Sequence, residues 1–324
     1  MTAATDNTPH QQHHAGMRVL SLCTGIAGDV AAFRHAGVPH EVAAVAEFDP
    51  VASAVLAEKF PGVPNLRDIT AVNNWKDYHG RIDILVAGIP CQPYSPAGRQ
   101  RGSSDRRDLS RVFCDIVAQV EPRFVLVENV PAFETVQQGR PFRAFGNALR
   151  DAGYAVGHRC IDARDVVAQR RRRLFLCGHR GEAGCAPDAL LADAAGGLGR
   201  AVEGGEVRVS AAAGAAGGSS VLHPPRLGTL MASGSGMNRA GLKGHELDFL
   251  IVQEFPGHGL VVRRPTPIEA LRAQGFPDDW LDGIEYQGRP LTDLEKYQLV
   301  GNSWPVPVAG AILREIAARW ASLA

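Results

Sequence analysis

The chain has 324 residues, 45% hydrophobic and 21% charged, with 34 basic side chains balancing 34 acidic ones, so it can bury a sizeable core but has no net field to gather a polyanion. No apolar run approaches the roughly 18 residues that a spanning helix needs, which sets a membrane role aside. The six cysteines form no Cys-x-x-Cys pair and no signal-peptide apolar segment precedes Met17, which argues for a reduced, cytoplasmic protein and against a disulfide scaffold or a zinc module.

Residues 1–16, rich in Thr, Gln, His and Ala, read as a disordered leader, and His10, His13 and His14 lack a neighbouring carboxylate or Cys to make a metal site. From Met17 onward short apolar runs alternate with helical ones: strand 18–23, helix 30–35, strand 41–46, helix 50–60, strand 82–87, helix 109–120, strand 124–127. This order predicts an α/β, Rossmann-like parallel sheet with helices on both faces. More than half of residues 181–220 are Gly or Ala, which reads as a linker or the loose start of a second domain. Strand-like pieces such as 250–253 lie between residues 223 and 262 among Gly, Ser and Asn, predicting a small, irregular, mainly β lobe. Helical patterns return at 266–274 and 306–320, the last expected to pack back on the first domain. The expected division is a leader (1–16), a catalytic and cofactor-binding domain (17–180), a substrate-facing lobe with its hinge (181–297) and a segment completing the first domain (298–324).

Chemistry concentrates where strands should end, since open α/β sheets bind ligands beyond the carboxyl ends of their strands. Thr24-Gly25-Ile26-Ala27-Gly28 follows the first strand, Glu47 ends the second, and Asp68 follows the next helix. A bare-backbone turn followed by an acid suits a nucleoside cofactor, while the missing third Gly and the absent Walker Lys argue against a pyrophosphate. Cys91 sits between Pro90 and Gln92 after the strand 82–87, where a thiol is too exposed to serve packing. Glu128 and Asn129 end the strand 124–127, a place for a general acid or for a capped strand end. Gln169-Arg170-Arg171-Arg172-Arg173 precedes another apolar strand, whose alternation sends Arg171 and Arg173 to one side and Arg170 and Arg172 to the other. Four of the 34 basic residues are Lys, and Arg99, Arg101, Arg106, Arg107 and Arg111 cluster after Cys91, which suits phosphate contact or a solvated surface. The Trp residues 75, 280 and 320 read as core or seam aromatics, and Cys23, Cys114, Cys160 and Cys177 as small buried hydrophobes.

In this order the motifs resemble those of the DNA cytosine-5 methyltransferases of bacterial or phage type. Leu22-Cys-Thr-Gly-Ile-Ala-Gly28 is similar to the family's first cofactor motif, Glu47 and Asp68-Ile69 to its ribose and adenine contacts, and Gly88-Ile-Pro-Cys-Gln92 to its nucleophile motif. Glu128-Asn129-Val130 is similar to the acid motif and Gln169 to Arg173 to the Gln-x-Arg-x-Arg motif. Arg263-Arg-Pro-Thr-Pro-Ile-Glu269 with Gln274-Gly-Phe-Pro277 resembles the segment bracing the recognition lobe, and Gly301-Asn302-Ser303 the last cofactor motif. The resemblance runs from Met17 to about Ile312, with a variable stretch at 181–262. The chain departs from the pattern at Cys23, where the family has an aromatic, at Ala27 for Gly, at Ser21 for an acid, and at Trp304 for a smaller residue; Phe48 is a substitute for the missing adenine stack.

The resemblance implies methyl transfer from S-adenosylmethionine to C5 of a cytosine flipped out of double-stranded DNA. Cys91 would add to C6, Glu128 would engage N3 and the exocyclic amine, and Arg173 with Arg171 would hold the pyrimidine carbonyl and favour the thiolate. Cofactor contacts fall by the same resemblance on Cys23, Gly25, Ile26, Gly28, Glu47, Phe48, Asp68, Ile69, Pro90, Leu109, Asn302 and Ser303. DNA contacts fall on Gln92, Ser95, Arg99, Arg101, Arg106, Arg107, Gln169, Thr229 and Arg263. No metal is expected, and the protein is expected to be monomeric and nucleoid-associated when bound. Two other readings stay open: a tRNA cytosine-5 methyltransferase, and a catalytically weak DNA-binding paralogue. The target sequence is not legible in the chain.

Overall fold

The computed structural model describes residues 16–90, 109–181, 186–203, 220–223, 227, 229–230, 251–255 and 259–323. Residues 1–15 of the expected leader, and Cys91, Gln92, Ser95, Arg99, Arg101, Arg106 and Arg107, lie outside the described residues.

Strands β1 (Met17–Leu22), β2 (His40–Ala46), β3 (Ile84–Gly88), β4 (Phe124–Asn129), β5 (Tyr154–Asp162) and β6 (Arg172–Arg180) form one sheet in the order β2-β1-β3-β4-β6-β5. The first four run parallel, while β6 is antiparallel to both β4 and β5. Alternation explains why these strands read as continuous apolar runs. Val19, Ile84, Val86, Phe124 and Leu126 enter the core on one face, and Leu20, Leu22, Leu85, Ala87, Val125 and Val127 the core on the other. Helices α1 (Gly28–Ala36), α2 (Pro50–Lys59), α6 (Pro187–Glu203) and α9 (Val306–Ala321) cover the first face; α3 (Ser110–Val120) and α5 (Arg140–Asp151) cover the second, with the short α4 (Ala132–Thr135) between them in sequence. Because β1 has β2 on one side and β3 on the other, successive connections leave in opposite directions at its carboxyl end, opening the crevice in which such sheets bind ligands.

Local chemistry sets the helix ends. Asp49 caps α2 by accepting from the amides of Val51 and Ala52, and Pro50 opens its first turn. Helices α7 (Pro267–Gln274) and α8 (Asp293–Asn302) each begin with a capping box, Thr266 with Glu269 and Thr292 with Glu295. The last helix packs back on the sheet as expected: Gly310 lies so close to α1 that an added Cβ would stand 3.1 Å from the Ala32 carbonyl, and the Trp320 indole donates to Asp83 at 2.9 Å.

The linker expected over 181–220 is corrected in part, because 187–203 is helix α6, seated between β5 and α9. Counting Ala together with Gly hid the strongest helix former inside a stretch that looked flexible; Leu190, Leu191 and Ala194 supply its buried face. Three elements carried no clear signal: α5, α8, and β5, whose exposed Ala155, His158 and Arg159 are those of a sheet-edge strand. The expected β lobe contains the antiparallel sheet β7 (Ser220–His223), β8 (Ile251–Phe255) and β9 (Gly259–Arg263). Beyond α7, β10 (Glu285–Tyr286) and β11 (Arg289–Pro290) make a tight hairpin, with Gln287 and Gly288 at φ 54° and 72°.

Candidate active site

A cavity of about 690 Å³ opens at the carboxyl ends of β1, β3 and β4, and part of its wall comes from residues named from the sequence. At one end the turn after β1 turns left-handed three times, at Cys23, Gly25 and Ala27 (φ 51°, 57° and 61°). A Cβ added to Gly25 would meet no atom within 4 Å, so this glycine presents bare backbone to the cavity. The Gly25 amide donates to the Glu47 carboxylate at 2.6 Å and the Asp49 amide to its other oxygen at 2.7 Å. Burial nevertheless holds the Glu47 carboxyl above its ordinary range, the backbone hydrogen bonds offsetting part of that rise. Asp68, folded around the Thr70 amide at 2.9 Å, continues this wall with Ile69, while Phe48 stands 70% exposed on the rim. Burial pushes the Cys23 thiol up to about 12, with the charges of Glu47 and Asp68 adding to the effect. It is a neutral wall residue.

The other end lies at β3 and β4, where Gly88 pairs in register with Glu128. Gly88 is needed as glycine: an added Cβ would stand 2.7 Å from the Trp304 indole nitrogen. Pro90 and Leu109, the described residues on either side of 91–108, both line the cavity. Glu128 reaches Arg173 on the antiparallel β6, Oε1 to Nε at 2.8 Å, with both side chains only about a tenth exposed (10% and 12%). Asn129 donates to the Ile89 carbonyl at 3.4 Å and accepts from the Val130 amide at 2.8 Å, tying the ends of β3 and β4 together.

The expected alternation of the Arg run is found: Arg170 and Arg172 are exposed, Arg171 is buried and Arg173 half-buried. Arg171 borders the cavity but its guanidinium is directed at backbone, donating to the carbonyls of Leu230 at 2.9 Å, Gly301 at 3.1 Å and Ser303 at 2.5 Å. Asn302 lines the cavity between the last two.

Several expected contacts stand off the cavity wall. Ile26 is buried, its carbonyl accepting from the Trp280 indole at 3.0 Å. Gly28 packs so tightly under Ser303 that an added Cβ would stand 2.3 Å from the Ser303 hydroxyl, and Ser303 itself is buried. Gln169 is fully buried (0%), Thr229 donates its hydroxyl to the Arg170 carbonyl, and Arg263 is held by both carboxylate oxygens of Glu269 at 2.7 Å each. The cavity also takes in residues that sequence reasoning passed over, among them Arg67, Gln298 and Leu299. Arg67 directly precedes Asp68, and Gln298 and Leu299 come one helical turn before Asn302, a spacing that would have flagged the last two once α8 was recognised.

Beneath the β1 turn lies a buried polar network. The Ser21 hydroxyl contacts Asp29 at 2.5 Å and Thr24 at 2.8 Å, and the Val30 amide donates to Asp29 at 2.8 Å. Burial raises the Asp29 carboxyl to about 6, outweighing those hydrogen bonds.

A sequence model described as C-5 cytosine-specific DNA methylase matches residues 17–192 and 228–318. The chain is 30% identical to the type II methyltransferase M.SsoII of Shigella sonnei over 341 residues, covering 96% of this chain and 83% of that one. It is also 30% identical to the type II methyltransferase M.NlaX of Neisseria lactamica over 321 residues, covering 93% and 96%. Among solved structures, the S. pombe Dnmt2 methyltransferase superposes with a TM-score of 0.63 at 18% identity, covering 94% of this chain and 99% of that one; at that identity the likeness concerns the fold.

Proposed function

The chain belongs to the C-5 cytosine-specific DNA methylase family, and from that premise we propose that it methylates C5 of a cytosine flipped out of duplex DNA, with S-adenosylmethionine as donor and a transient bond between Cys91 and C6. The observation that carries this reading is the joining, in one cavity, of the Gly25, Glu47 and Asp68 wall to the Glu128–Arg173 pair, with Pro90, the residue before Cys91, on the same wall.

The donor set fits a nucleoside. Bare backbone at Gly25, a carboxylate at Glu47 for a ribose diol, Asp68 for an exocyclic amine, apolar Ile69 and the exposed ring of Phe48 would hold the adenosine, and Asn302 the opposite end. S-adenosylmethionine bound there supplies an electrophilic methyl group. Ile26, Gly28 and Ser303 would act by shaping the turn from behind.

Cytosine C5 is a weak nucleophile until a thiolate from Cys91 adds to C6, which pushes the ring electrons onto C5 so that it could take a methyl group, the donor's sulfur keeping the electrons of the bond that breaks. Glu128 would hydrogen-bond N3 and the exocyclic amine, where negative charge collects, and Arg173, already paired with Glu128, would fix the carboxylate and hold the pyrimidine carbonyl. Loss of the C5 proton then returns the electron pair to the ring and expels the thiolate. None of these atoms is reachable in a stacked duplex, which requires the base to be extruded. Gln92, Ser95, Arg99, Arg101, Arg106 and Arg107, following the nucleophile, would contact the duplex, and the β7–β9 lobe would read its sequence.

Transfer of labelled methyl groups from S-adenosylmethionine tests the reading, with duplex DNA and bulk tRNA as parallel acceptors. Label should enter DNA and not tRNA. Cys91→Ala should abolish transfer, and Glu128→Gln should cut it by roughly 10²–10⁴-fold, the scale of a lost acid–base group. Undiminished transfer by Cys91→Ala would refute the covalent route, and transfer confined to tRNA would refute the substrate.

A further inference from the structure

The guanidinium of Arg171, expected to touch the substrate, is spent on main-chain carbonyls from two distant parts of the chain. Leu227, Thr229 and Leu230, which follow β7 within the variable region, lie along residues 168–171: the Leu227 amide donates to the Ala168 carbonyl and the Arg170 amide to the Leu227 carbonyl, both at 2.8 Å, and the Thr229 hydroxyl reaches the Arg170 carbonyl. Arg171 then grips the Leu230 carbonyl with one nitrogen and the Gly301 and Ser303 carbonyls with another. From the far side Gln274 donates to the Val300 carbonyl at 3.0 Å, so the turn carrying Asn302 is clamped between two buried side chains. A planar fork with fixed donor directions holds such carbonyls in one mutual arrangement, which a flexible ammonium does not.

We propose that Arg171 is a positioning residue that couples the Asn302 end of the cofactor cavity to the segment that follows β7 in the recognition lobe. The proposal rests on the functional reading above, in that Asn302 is taken to face the cofactor. A ligand that stills the 301–303 turn removes one of the motions by which the Leu230 carbonyl is released, so local opening of the 227–230 segment becomes rarer. Cofactor occupancy would thereby pre-order the 227–230 segment of the lobe that meets DNA.

Amide hydrogen exchange, with and without saturating S-adenosylhomocysteine, reads this coupling without any catalysis. In the wild-type protein the Arg170 and Leu227 amides should slow by roughly fivefold or more, the lower end of ordinary coupling between sites, while amides of the β5–β6 ladder change far less. Arg171→Lys should bind the ligand yet transmit no such slowing; Thr229→Val, which leaves the Arg171 clasp in place, should transmit it. The proposal is overturned if wild-type protein binds the ligand without slowing at Arg170 and Leu227. It is equally overturned if the slowing is uniform along the chain, as simple ligand linkage would give, or if Arg171→Lys transmits it in full. Wild-type protein that fails to bind S-adenosylhomocysteine would instead refute the functional reading. Should Arg171→Lys not fold, the wild-type and Thr229→Val measurements still decide.

Discussion

At the scale of single residues, the β1 turn shows how burial sorts chemically similar groups. Cys23 lines the cavity, but with its thiol pushed up to about 12 it stays protonated at neutral pH. Asp29, behind the same turn, has the opposite consequence for stability. Its carboxyl titrates near 6 when folded against an ordinary value of 3.8, chiefly because burial disfavours the charge. An acid whose folded value is raised binds its proton more tightly in the folded state, so its contribution to stability falls as pH rises from about 4 to about 6 and stays low above that. Asp29→Asn removes the charge and can keep both contacts, its oxygen accepting from Val30 and its amide donating to Ser21. Denaturant unfolding should show the variant more stable than wild type at pH 8 by on the order of 2–3 kcal/mol, since each tenfold difference in proton affinity between folded and unfolded chains is worth about 1.4 kcal/mol. The advantage should vanish near pH 4, and equal stabilities at pH 8 would contradict the assignment.

At the scale of elements, legibility followed burial. Strands β1, β3 and β4, covered on both faces, announce themselves as apolar runs, and the polar pair closing β4, Glu128 and Asn129, stands out by contrast, as does Glu47 after β2. Edge strand β5 and polar helix α8 blend with loops because their stability comes from neighbours absent from any local window. Site residues followed the same rule. Those contributed by strand ends could be named, whereas the roles of Arg171 and Arg263 turned on carbonyls and carboxylates from distant segments, which no spacing encodes. Helix α6 is the sharpest failure, and it yields a test. Gly196 and Gly197 lie inside it, with open space where a Cβ would stand. Replacing either by Ala should raise stability by about 0.5–1 kcal/mol, visible as a higher melting temperature. Destabilisation by both single changes would contradict a continuous helix over these residues.

At the scale of the whole molecule, the four parallel strands of a mixed sheet supply a crevice, and the chain closes on itself to complete its wall. Residues near 300 return to pack under the first turn, where Trp304 and Ser303 sit against Gly88 and Gly28, so the cavity is finished only by the end of the sequence. The β7–β9 segment inserted between is tied down by the backbone pairing of Leu227 with residues 168–170 and by the Arg263–Glu269 clasp. The function proposed for this cavity is the making of 5-methylcytosine in DNA. Bisulfite sequencing of DNA from a host without cytosine methylation of its own, expressing this chain, tests it most directly. Protected cytosines recurring in one sequence context, and lost when Cys91→Ala is expressed at the same level, are the predicted result; conversion as complete as in the empty host, with the folded protein present, would contradict it.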